Sequence, residues 1–397
     1  MNGGTNTNKL VKKNDVLSDL RREGDFLACG NVDTWFLLIL TGIVLFGMIM
    51  SFSASSVYAE MYHDDSTYFF KRYCVFLLLA VGMTTPFVVL CRPWFWRLFA
   101  IGSYGVSMLL LMLVPLIGDE YGGAKRWISF GPLTVQPSEI AKVALVLMLA
   151  LYMSRYQQKI EDNGKTGFWY GAVIPLGLTG VMCVLTMLGR HISGLMILGM
   201  LGVIVMYIGG TRVKWILSLI GIVALAGVLL IALLPYARQR VMTWWNIEEA
   251  DALGEAWQTL QGLYAIGSGG LFGRGLGNSR QKYGYVSQPQ NDFIFTIICE
   301  ELGFFGVLIV VTLFGLLVWR GFHIAKNAPD RFCSLAVYGL TAKVALQTLM
   351  NIAVVTNMMP NTGISLPFFS SGGTSLVLQI FEMGIVLSIS RYSTVKR

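Results

Sequence analysis

Asp292 stands where a polar, glycine-rich, basic stretch (residues 261–291) runs into a long apolar one. An ionisable side chain at the edge of an apolar segment is a candidate functional group. Two roles suit it: an aspartate caps a helix start well, and a carboxylate at a cavity wall serves as a general base. Glu300 and Glu301 follow roughly 12 Å deeper at helical rise, too far for a direct dyad with Asp292. They must face the interior of a bundle beside a buried cation, for which Lys142 and Lys343 are the candidates.

A second group runs from Gly122 to Lys142. Pro137 suits the first turn of a helix, where its missing N–H costs nothing, and Ser138 and Glu139 suit the electropositive helix start. Lys142, three residues on, shares a face with Glu139, so the two form either a self-neutralising buried pair or a cation that holds a phosphate. Arg126 in the preceding loop would assist the second role.

A third group lies in the loop 236–291, where Arg238 and Arg240 are followed by Gly267, Gly269, Gly270, Gly273, Gly275 and Gly277. Ser268, Arg274, Ser279 and Lys282 are interleaved with them. Glycines let backbone N–H groups approach an anion and basic side chains complete such a site, although a flexible linker has the same composition. No nucleotide-type GxxxxGK[ST] loop is present. Trp244, Trp245 and Trp257 suit a segment lying at a membrane interface. In the fourth group, Asn351–Ser375, Pro360, Gly363, Pro367 and Gly372–Gly373 forbid a continuous helix. Irregular backbone at membrane depth must be buried or line a cavity, which Ser370, Ser371, Thr374 and Ser375 would then face.

The elements that must hold these groups are membrane helices. Hydrophobic residues make up 55% of the chain and charged residues 13%, in apolar runs near 20 residues long, which excludes a soluble domain and disfavours a β-barrel. The fold class expected is an all-α polytopic membrane protein of ten helices, over 35–55, 73–91, 96–118, 137–154, 168–188, 192–209, 213–235, 292–319, 333–356 and 373–390. Lys and Arg concentrate in the tail 1–34 and in alternate short loops, including 155–165, 320–331 and 391–397. That bias places both termini in the cytoplasm and the loop 236–291 outside, so the net charge of +8 reads as topology and not as nucleic-acid affinity. The domain division expected is a flexible tail 1–34, a membrane domain 35–391 and a short tail 392–397.

The six cysteines form no CxxC pair and His is rare, so a structural zinc site is not expected. The polar start argues against a cleavable signal. No internal repeat of the kind common in transporters is visible. His191 and Arg190, in a short connection, receive no catalytic role.

Four segments together, GAKRWISFGPLTVQPSEIAK, QGLYAIGSGGLFGRGLGNSRQK, DFIFTIICEELG and MPNTGISLPFFSSGGTS, closely resemble the SEDS family (shape, elongation, division and sporulation: the FtsW, RodA and SpoVE proteins). The resemblance covers nearly the whole chain after residue 35, and SASSVYAE and GRHISG look more like its division and sporulation branch. It implies a ten-helix peptidoglycan glycosyltransferase in the bacterial cytoplasmic membrane that polymerises lipid II into a glycan strand, inverting the anomeric centre. The family's catalytic aspartate opens the DFIF motif and maps onto Asp292. Lys142, Arg126, Lys282 and a divalent ion (Mg or Mn) would then stabilise the departing pyrophosphate, with Glu139, Ser268 and Ser370 in the substrate site. Metal dependence stays open, because no DxD-type site is present. Implied partners are a class B penicillin-binding protein, since no SxxK-bearing domain is present, and other division proteins. Gln290 and Asn291 stand where the family commonly has a His-Thr pair, and Ser371 where it commonly has Tyr. The rival functions are a lipid II flippase using the same cavity and a scaffold without catalysis.

Overall fold

The computed structural model describes residues 29–121, 124–131, 133–221, 256–370 and 373–393, with a few positions between 232 and 247. Eight of its helices are long and apolar enough to cross a membrane: α1 (Thr34–His63), α2 (Tyr68–Leu90), α3 (Pro93–Ile117), α4 (Pro137–Arg155), α5 (Lys165–Leu188), α8 (Ile294–Lys326), α9 (Arg331–Val355) and α10 (Gly373–Ser390). A shorter apolar helix, α6 (Ile192–Ile208), matches the expected sixth span, and α7 (Trp257–Gly269) lies inside the loop 236–291. The expected seventh span, 213–235, is helical over 213–221 and otherwise falls almost wholly outside the described residues, as do the tail residues 1–28 and 394–397, Arg240 and Ser371.

The helices sort by polarity. α4, α9 and α10 have mean hydropathies of only 1.4, 1.3 and 1.5, yet 78, 72 and 83% of each span is buried. α2 and α8 reach 2.2 and 2.5 and are only 22 and 28% buried. Intramembrane polar groups need partners, so the helices that carry them occupy the centre and the most apolar ones face outward. α4 packs against α3, α6 and α9, while α8 packs against α9 and α1 and α10 lies along α2.

Two ends can be told apart by their hydrogen bonds. At one, Asp33 caps α1 through Phe36 N–H (2.9 Å) and takes a bidentate pair from Arg320, while its own N–H donates to Ser390. Arg97 pairs there with Asp330, the cap of α9, and Arg391 donates to the Val88 carbonyl. The other end is the cavity end. Here the chain departs from an all-helical plan: β1 (Asp119–Tyr121), β2 (Ala124–Phe130) and β3 (Leu133–Val135) form a small antiparallel sheet between α3 and α4. Glycine at 131, with φ +63, makes the β2–β3 turn.

α8 is broken at Gly303, where φ is +63 and ψ −155. The glycine-rich loop after α7 repairs the break. Arg274 and Gly275 N–H donate to the freed carbonyls of Glu300 and Glu301, each at 2.9 Å, and Phe304 N–H donates to Gly270 O at 2.9 Å. Gly273 sits so close that a Cβ there would collide with the Glu301 carbonyl. The glycines therefore serve a backbone-to-backbone splice, and the anion cradle expected from their composition is not what they build.

Candidate active site

The cavity at this end has a volume of about 260 Å³ and draws its walls from four regions. The sheet and the start of α4 contribute Arg126, Gln136, Glu139 and Lys142; the start of α6 contributes His191 and Ser193. The approach to α8 contributes Gln288, Asn291 and Asp292, and the fourth region, α9 through the irregular segment to the start of α10, contributes Gln347, Gly363, Ser365, Ser370 and, on α10, Ser375.

Asp292 does not cap its helix. α8 starts at Ile294 with Phe293 in the cap position, and no side chain bonds its first N–H groups. The capping role that residue type alone favours is thus overturned, because the helix begins two residues late and leaves the carboxylate facing the cavity. Asn351 on α9 pins this turn by donating to both Asp292 O and Ile364 O at 2.7 Å. Gly363, at φ +66, lets the irregular segment pass the carboxylate; a Cβ there would lie 3.2 Å from Asp292 Oδ2. Burial pushes the Asp292 pKa up to about 6, against the pull of the Arg126 guanidinium. A carboxylate titrating close to neutral pH is suited to proton transfer.

Another part of the lining is cationic. Lys142 Nζ donates to Glu139 Oε1 at 2.5 Å, and Lys343 lies 3.9 Å from Glu139 Oε2 and 2.6 Å from Glu382. These four charges form a chain running from the cavity into the centre of the bundle. Arg126 lines the cavity and its Nε has no hydrogen-bond partner, so the guanidinium has donor capacity left for an anionic ligand. His191, which sequence reasoning set aside, lies on the same wall with Nε2 3.4 Å from Gln136 Nε2. Burial, then Lys142 and Arg126, push its pKa down to about 4, so it is a neutral imidazole at pH 7. A histidine at the first position before an apolar helix was the available signal.

The structure brings Asp292, Arg126, Lys142, Glu139 and Ser370 to one cavity. It does not bring Ser268 or Lys282 there: Ser268 Oγ donates to Ala265 O of its own helix, and Lys282 belongs to a second, closed cluster. In that cluster Lys282 Nζ donates to Glu301 at 3.1 Å and to the Gly277 and Ser53 carbonyls, and Ser53 Oγ donates to the other Glu301 oxygen. Glu300 accepts from Ser279 Oγ (2.5 Å) and from the N–H groups of Arg280 and Gln281. The partners expected for these glutamates, Lys142 and Lys343, are instead taken by Glu139 and Glu382, because the loop 274–282 folds back onto α8 and supplies its own cation.

Arg126, Lys142 and a carboxylate of pKa about 6 around one sugar-sized space suit attack by a hydroxyl on a substrate with a phosphate leaving group. Comparison with known proteins identifies the family. The profile of the FtsW, RodA and SpoVE family, described as "Cell cycle protein", matches residues 33–395. Stage V sporulation protein E of Bacillus subtilis (strain 168) is 39% identical over 364 residues, covering 90% of this chain and 96% of that one. A probable peptidoglycan glycosyltransferase FtsW of Trichlorobacter lovleyi is 36% identical over 362 residues, covering 90 and 93%. Among solved structures, one titled "Structural coordination of polymerization and crosslinking by a peptidoglycan synthase complex" aligns with TM-score 0.74 at 28% identity, over 91% of this chain and 98% of that one. The rod shape determining protein RodA of Thermus thermophilus aligns with TM-score 0.67 at 27% identity, over 92 and 98%. The chain belongs to the FtsW, RodA and SpoVE family of multi-pass membrane proteins.

Proposed function

We propose that Asp292 is the general base of glycan polymerisation in this cavity. The chain is a peptidoglycan glycosyltransferase of cell-wall synthesis in division or sporulation, in keeping with its named relatives. The substrate is lipid II, a disaccharide pentapeptide on a polyprenyl pyrophosphate. Asp292 takes the proton of the acceptor's C4 hydroxyl as that oxygen attacks the anomeric carbon of the lipid-linked MurNAc. The bond from that carbon to the phosphate oxygen breaks, its electron pair leaves with the pyrophosphate, and in-line attack inverts the centre. Arg126 and Lys142 stabilise the departing charge, while Glu139, shared between Lys142 and Lys343, holds Lys142 in place. A pyrophosphate is already a good leaving group, so no strong general acid is needed.

Among the described residues no group of three His, Cys, Asp or Glu side chains stands together. A divalent ion (Mg or Mn) finds no ready ligand set among them, so the departing charge is met by Arg126 and Lys142. The Asp33 end, with Arg97, Arg320 and Arg391, faces the cytoplasm of a bacterial cell, and the cavity end faces out. The growing glycan and a class B penicillin-binding protein transpeptidase complete the assembly, which works with other division proteins.

The observation that carries this reading is Asp292 itself, an acid excluded from helix capping and turned into a cavity with two cations. The test is polymerisation of labelled lipid II by the chain in complex with its transpeptidase, read as glycan ladders. Wild type gives a ladder and a well-folded Asp292→Ala gives none. A ladder that survives the substitution removes Asp292 from the mechanism; no ladder from either, with the partner bound, favours lipid II flipping or a scaffold role.

A further inference from the structure

Among the described residues, the lining of the cavity includes one buried, unpartnered polar atom that the mechanism does not use. Gln347 on α9 is 3% exposed and lines the cavity, yet its Oε1 is buried without a hydrogen-bond partner. It sits between Lys343 and Asn351 at successive four-residue steps, so the three share one helix face. Its two neighbours are engaged: Lys343 donates to Glu382, and Asn351 donates to the Asp292 and Ile364 carbonyls. Other orphaned amide oxygens exist, on Gln281, Gln290 and Asn351, but none of these residues lines the cavity. A buried acceptor left empty is costly, and because Gln347 lines a ligand space the vacancy is most simply explained by a donor on the ligand, met by a turn of the amide.

The chemistry of that donor is restricted. An amide oxygen only accepts, and an ionised phosphate offers no proton to it. The cations Arg126 and Lys142, and the amide of Gln347, one helical turn from the Asn351 that holds the Asp292 carbonyl, therefore suit different parts of one substrate. We propose that Gln347 reads the sugar: its Oε1 accepts a hydrogen bond from a neutral donor, hydroxyl or acetamido N–H, of an N-acetylhexosamine seated beside Asp292. This rests on the glycosyltransferase reading for the identity of the sugar, and extends it by separating sugar recognition from pyrophosphate recognition.

The test measures binding, without turnover, to the chain in complex with its transpeptidase. The probes are lipid II and undecaprenyl pyrophosphate, which shares the anchor and the two phosphates but has no sugar. In Gln347→Met the affinity for lipid II falls about tenfold, ~1.4 kcal/mol, while undecaprenyl pyrophosphate binds within about twofold of wild type, as expected for loss of one hydrogen bond. Equal losses on both probes, or none on either, overturn the proposal. A second arm needs no variant and so survives poor folding of Gln347→Met. Wild type is offered lipid II analogues in which each sugar's acetamido group is replaced by hydroxyl, or single hydroxyls are removed. Loss with the first identifies the N–H as donor and loss with the second a hydroxyl; full affinity for every analogue overturns the proposal. If the preference for sugar depends on Gln347 but no glycan forms, the polymerase reading fails and the sugar reading stands. If glycan forms and the preference does not depend on Gln347, the polymerase reading stands and the sugar reading fails.

Discussion

Two acidic regions lie within ten residues of each other around the start of α8, and they are finished differently. Glu300 and Glu301 are almost completely buried, and the loop 274–282 meets them with Lys282, Ser279 and backbone N–H groups, with Ser53 added from α1. Asp292 is half-buried, caps nothing and faces a cavity in which other polar atoms, Arg126 Nε and Gln347 Oε1 among them, also lack partners. A closed network rigidifies, whereas an open one has capacity left for a ligand. Carboxylates of the same chemistry, on one stretch of chain, thus divide into brace and site by what the fold supplies to them.

The sharpest way to break this contrast is to neutralise one charge of each region. Asp292→Asn is expected to lower polymerisation by about 100- to 10,000-fold, the usual worth of a general base, with an unchanged melting temperature in detergent. A variant that keeps substantial activity would equate the two regions. Lys282→Met should behave in the opposite way. It leaves Glu301 buried and uncompensated at a cost of about 3–5 kcal/mol in stability, read as a drop in melting temperature. Replacing both, as Lys282→Met with Glu301→Leu, should recover most of that loss, since a matched apolar pair leaves no orphaned charge.

The pH profile sharpens the comparison further. With a pKa of about 6, Asp292 is ionised and able to accept a proton above that pH. Below it the base is protonated, so kcat/KM for lipid II should fall about tenfold per pH unit on the acid side. A profile flat between pH 5 and 7 would count against Asp292 as the titrating base. The smallest effect is expected at Gly363, whose left-handed backbone and closeness to Asp292 Oδ2 leave little room for a Cβ. Gly363→Ala should cost about 1 kcal/mol in backbone strain and lower the rate only several-fold by disturbing the carboxylate's aim.

Much of this was legible in the chain itself. Apolar runs set the spans, since a segment of that length and composition has no soluble alternative, and eight of the expected crossings coincide with long apolar helices, some of which run several residues further. Arg126, Glu139, Lys142 and Ser370 are marked by residue type in the sequence, Asp292 as a base only by the family resemblance, and one cavity gathers all five. His191, Gln136 and Gln347 are not so marked: a lone histidine beside an apolar run is a weak signal, and a loop glutamine and a mid-helix glutamine carry no periodic or compositional mark. Ser268 and Lys282 looked equal to the site residues in composition, because glycine and basic residues suit an anion cradle and a tight splice alike.

What the sequence determined by itself was the class of molecule and the inventory of its chemistry, since hydropathy over 20 residues and the scarcity of intramembrane charge are local properties. What only the tertiary structure decided was which charge meets which. Ion pairing depends on distances between helices far apart in the chain: Lys343 could have served Glu300, and instead lies 2.6 Å from Glu382. The break at Gly303 and the loop spliced across it decided the rest. By delivering Lys282 to Glu301 they closed one acidic region, and the late start of α8 left Asp292 open to the cavity.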